Sequence, residues 1–91
     1  MMENPMLVYP AVLFPADDDG VFGCAVDDLL INASGASADG AIRDAAAILA
    51  ELLEGMARNG EPFPDPTPVD DVDTEGGTLV MLTAALPRLA A

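Results

Sequence analysis

The sequence predicts a two-layer α+β domain, ordered β-β-β-α-β, with one long helix packed on an antiparallel sheet. Three observations predict it. Before Gly35 the chain holds three short runs of β-formers separated by turn formers. After Gly35 the apolar period changes from two to about 3.6. The chain then closes on TLVMLTAAL, an unbroken apolar run with a β-branched start.

The first strand is expected over about 6–14. Pro10 inside it points to an edge position or a bulge rather than a central ladder. PADDDG follows as a turn in which Asp19-Gly20 supplies the positive φ of a hairpin, leaving Asp17 and Asp18 without structural duty. Strand two, about 21–26, pairs back antiparallel, and LLINAS makes a third strand over about 29–34. A helix is expected over about 38–58, with Ser37 as N-cap, Asp39 in the first turn and Asn59-Gly60 as the stop. Its stripe of Ala38, Ala41, Ile42, Ala45, Ile48, Leu49, Leu52, Leu53 and Met56 suits one face of a sheet. Residues 60–77, dense in prolines and acids, read as an extended linker carrying the chain back along the helix. The last strand is expected over about 78–86, and the whole of 1–91 reads as one domain.

Composition narrows the functional classes. Leu, Ile, Val and Phe supply 24 of 91 residues, enough for a folded core, but the sixteen alanines make that core thin. Sixteen acids against three arginines give a net charge of −13, which phosphate backbones would repel. A basic protein is the electrostatic complement, and solubility alone accounts for the acidity equally well. The single Cys24 has no partner for an internal disulfide, which fits a reducing compartment. No secretory leader or spanning helix is visible, so the expected location is cytoplasmic.

The candidate chemical sites are weak. Around Asp17, Asp18 and Asp19 a calcium-loop pattern would place its first ligand at Pro15 and its bidentate acid at Val26. Around Asp71, Asp73 and Glu75 its twelfth position falls on Leu82. Turns are the better reading of both. Without histidine or lysine the usual general bases are missing, and Cys24 alternates with Phe22 and Val26 as a buried thiol would. The expectation is a non-enzyme with no cofactor and no metal. Tyr9 beside Pro10 serves equally as a partner contact or as an amphipathic ring at a sheet edge. Glu61 to Pro68 reads as a docking strip or, better, as a linker packed on its own helix.

The chain resembles the HicB-like antitoxin domain family. The resemblance rests on YPAV followed by the DDDG turn, on Asp28-Leu29, on SGAS opening an alanine-rich helix, and on GEPFPDP after it. One segment departs from the family. Where its members have aspartate-leucine-proline-glycine-cysteine, this chain has DLLIN. The resemblance implies a partial ribonuclease-H-like fold and an antitoxin that covers the active surface of HicA, a small basic mRNA-cleaving toxin using a histidine. Many members add a C-terminal DNA-binding module, which is not expected here after the fourth strand. Two-metal nuclease chemistry, which such a fold raises, ranks last because the expected strand interiors are apolar. The expected partner-binding residues are Asp17, Asp18, Asp19, Asp27, Asp28 and Tyr9. A homodimer or larger assembly is expected too, with no direct nucleic-acid or membrane binding. The alternative is a self-associating structural or adaptor domain without a toxin.

Overall fold

A computed structural model describes residues 6–85. Strands β1 (Met6–Phe14), β2 (Phe22–Val26), β3 (Ile31–Gly35) and β4 (Thr78–Ala85) form one antiparallel sheet in the order β3-β2-β1-β4. Helix α1 (Ala38–Arg58) covers one face of it. The two-layer α+β arrangement is therefore as predicted. Leu86, expected to end the last strand, lies outside the described residues.

The helix ends follow from local chemistry. The Ser37 hydroxyl accepts the Gly40 amide at 3.0 Å, the side-chain bond of an N-cap. At the other end Gly60 takes φ 70, its amide bonds the Ala57 carbonyl, and the Glu61 amide bonds the Met56 carbonyl at 2.9 Å. That pair of bonds is the Schellman closure. Ala41, Ala45, Leu49 and Leu53 are fully buried at a spacing of four, so the helix faces the sheet through one narrow stripe. Small residues bring it close. A Cβ on Gly35 would sit 2.5 Å from the Ala41 amide nitrogen, so β3 and the first helical turn touch through backbone.

Three expectations are corrected. β1 is a central strand, paired with β4 along its length and with β2 over Val12, Leu13 and Phe14. Pro10 fits there because β2 has left the sheet at Val26, so no ladder neighbour on that side asks for an amide. β3 begins at Ile31 rather than Leu29, because Asp27–Leu29 form a single 3₁₀ turn and Leu30 takes a left-handed φ of 57 before Ile31 pairs with Val26. The third correction concerns the linker. It packs Phe63 onto the core and is pinned at Thr67 by Asp28. It then passes over the sheet face opposite the helix, where Val72 shares a cavity with Pro10, Val12 and Ala25. Val12 points away from the helix-side core yet is only 4% exposed, which the crossing chain explains. A helix running down one face leaves β4 to start at the far end, so the chain returns up the other face.

Candidate partner-binding surface

The six residues singled out in the sequence fall into three places. Asp17, Asp18 and Asp19 form the tip of the β1–β2 hairpin, exposed, with Gly20 at φ 79. Asp17 builds this turn: its carboxylate accepts the amides of Asp19 and Val21, each at 2.9 Å. Asp18 and Asp19 are left free, so the duties expected of Asp17 and Asp19 are exchanged. Asp27 and Asp28 lie beyond the opposite end of β2, a strand that alone spans about 13 Å at about 3.3 Å per residue. The five acids are therefore not one surface.

Tyr9 belongs to neither end. Its ring is fully buried on the helix side of β1, and its hydroxyl donates to the Pro64 carbonyl at 2.7 Å. Burial, reinforced by the negative charges of Asp28 and Asp65, holds its phenol above the ordinary 10.0. A contact to a partner is not open to it, and the expectation of one is corrected. Cys24 on β2, opposite Leu13, is buried in the same helix-side core, and burial pushes its thiol up, away from the reactive thiolate.

The end of β2 gathers a different set of groups. Asp28 accepts the Thr67 amide at 3.0 Å and the Thr67 hydroxyl at 2.6 Å, clamping the crossing chain. On one side of this clamp is a cavity of about 200 Å³ with a floor of Pro10, Val12 and Ala25 and a rim of Asp27, Asp28, Asp71 and Asp73. On the other side is an apolar groove of about 340 Å³ between Leu29, Leu30, Leu52, Met56 and Pro64. Leu30 stands 87% exposed at its lip, and Leu52, expected in the helix core, is 40% exposed. Among the described residues no group of three or more His, Cys, Asp or Glu converges to hold a metal ion. No helix there is long and apolar enough to cross a membrane.

Asp71, Asp73, Leu30 and Leu52 were not anticipated in this role. The expected acids Asp27 and Asp28 marked the place, and the DLLIN departure marked Leu30 without showing that the side chain stands free.

Neither the family models nor the curated proteins show a match to this chain. Among solved structures, the N-terminal domain of Burkholderia pseudomallei antitoxin HicB aligns with a TM-score of 0.77 at 20% identity. The alignment covers 88% of this chain and 100% of that one. The fold is that of a HicB N-terminal domain. Within this HicB-like frame, the hairpin tip and the end of β2 lie at opposite ends of one strand. Only the latter combines acids with an apolar groove.

Proposed function

We propose that this chain is an antitoxin that neutralises a small basic HicA-type mRNA-cleaving toxin by binding it, without catalysis and without touching nucleic acid itself. The observation that carries the reading is the pairing, around Asp28, of an acid-rimmed cavity with an apolar groove on a HicB-like fold. A protein interface needs a desolvated apolar anchor and a charged rim that steers encounter. Leu30, Leu52 and Met56 supply the first, and Asp27 and Asp71 the second. A lysine or arginine stem suits the apolar floor of the cavity while its cation meets the carboxylates. The net charge of −13 attracts a basic partner from a distance.

The test is a search of the adjacent reading frames for a short basic HicA-type protein, followed by its binding to this chain by stopped flow at two salt concentrations. Asp27→Asn with Asp71→Asn is expected to slow association, and Leu30→Ser to speed dissociation about fivefold or more, one buried anchor being worth over about 1 kcal/mol. Asp18→Asn with Asp19→Asn changes the net charge equally and is expected to act more weakly. A basic toxin that binds with none of these changes mattering at the end of β2 overturns the assignment of the surface. Failure of wild type to bind or neutralise any such toxin overturns the function.

A further inference from the structure

The two edges of the sheet are treated differently. β3 is five residues long, carries Asn32 and Ser34 on its exposed face, and has the Ser34 amide turned to the Asp44 carboxylate at 3.4 Å. Short length, polar side chains and a capped amide are the devices that blunt an edge. β4 has none of them. It runs eight residues as TLVMLTAA, without charge or proline, and pairs with β1 in an unbroken register from Met6↔Ala85 to Leu13↔Thr78. Among the described residues nothing pairs with its outer side. Beside it, on the sheet face away from the helix, Val8, Leu79 and Met81 stand 40%, 37% and 46% exposed.

From this we infer that β4 is a self-association edge, on which a second copy of this chain adds its own β4 antiparallel to make one continuous eight-stranded sheet. Charge selects a second copy over the basic partner proposed above. β1 and β4 contain no acidic or basic residue, in a chain whose sixteen acids dominate the rest of its surface. A basic partner gains nothing from this neutral strip, whereas two copies meeting here keep their like charges apart.

The alternation of side chains also limits the register. Residues directly opposite in an antiparallel pair lie on the same face, so odd-numbered Leu79, Met81 and Thr83 must meet odd-numbered residues if both helices are to stay on one side. A twofold axis at Met81 meets that condition. It aligns Pro10 and Met81 of each copy in one apolar row across the junction. Two eight-residue strands and this row make a small interface, so dissociation on the order of micromolar is expected.

The experiment is light scattering of the full chain from about 5 to 200 µM, a range bracketing that dissociation constant. Twice the chain mass is expected at the upper end, and chain mass for Met81→Lys with an unchanged far-ultraviolet spectrum. Lysine lowers the net negative charge, so monomerisation by Met81→Lys is not overall repulsion but two like charges at one axis. Val21→Lys, an equally exposed apolar position away from this edge, is expected to keep the dimer. Met81→Cys is expected to couple through a short bis-maleimide while Val21→Cys does not, Cys24 being buried. A monomer throughout the range, a dimer untouched by Met81→Lys, or coupling at Val21→Cys in place of Met81→Cys each overturns the inference. None of these outcomes depends on a toxin.

Discussion

Removing the Asp28 carboxylate should release the crossing chain. Asp28 makes two hydrogen bonds to Thr67, one to the amide and one to the hydroxyl, in a half-buried setting. Hydrogen bonds to a charged group are worth roughly 1.5–3 kcal/mol each, and partial exposure places these at the lower end, so Asp28→Ala should cost about 3 kcal/mol. A domain of this size has about 5–14 kcal/mol in all, at roughly 0.05–0.15 per residue. At about 4–8 °C per kcal/mol, the Tm should fall by about 12–24 °C. Thr67→Val removes only the hydroxyl bond and should cost about half as much. The double variant should be less destabilised than the two single changes predict together, by about 1.5 kcal/mol, because the hydroxyl bond is lost only once. Thermal and urea unfolding of the four proteins give this cycle. A Tm within about 3 °C of wild type for Asp28→Ala, less than 1 kcal/mol on that scale, would show that the apolar contacts of Phe63 and Val72 hold the chain without the clamp. Additivity within about 0.5 kcal/mol would deny the pair itself.

Two further outcomes follow from groups already placed. Cys24 and Tyr9 have folded pKa values above their ordinary 9.0 and 10.0, so above each value the unfolded chain loses its proton first. The contribution of these two groups should be fully present below pH 9 and be lost as pH rises past 9.0 and then 10.0, and Cys24→Ala with Tyr9→Phe should flatten that alkaline fall in urea titrations. At the hairpin, Asp17→Ala should cost about 1–2 kcal/mol, for two lost acceptor bonds at an exposed turn. Asp18→Ala should stay within about 0.5 kcal/mol, and equal effects in thermal melts would refute the division of labour in the turn.

The elements written in local chemistry were legible, and those made by long-range pairing were not. The helix could be read because Ser37, the spaced alanines and leucines and Asn59-Gly60 all act within a few residues of one another. The linker carries no period, and its course depends on Asp28 reaching Thr67 across 39 positions of sequence. Pro10 was misread because its meaning depends on where β2 ends, a fact held in Asp27–Leu29 rather than near the proline. Tyr9 was open to two readings in sequence, a partner contact or a ring at a sheet edge, and neither placed it in the core. Its hydroxyl partner, the Pro64 carbonyl, lies 55 positions away. Of the expected surface acids, Asp27 was found where the cavity is, but Asp71 was hidden in a linker expected along the helix rather than across the opposite face of the sheet.

Which acids remain for a partner follows from which are already occupied. Asp17, Asp28, Asp44 and Asp73 each accept at least one backbone amide. A cation drawn to such a carboxylate must share it with that amide, so the gain on binding is reduced by what the fold has already taken. The carboxylates of Asp18, Asp19, Asp27 and Asp71 accept no hydrogen bond from another described residue and keep their full capacity. The environment then separates these four. Asp18 and Asp19 stand in open solvent, where the dielectric of water and added salt screen them. Asp27 and Asp71 are exposed as well, but they rim a cavity floored by Pro10, Val12 and Ala25, where the apolar stem of a lysine or arginine can pack while its cation meets the carboxylates. We therefore propose the end of β2, rather than the hairpin that is conspicuous in the sequence, as the stronger attractor of a cation.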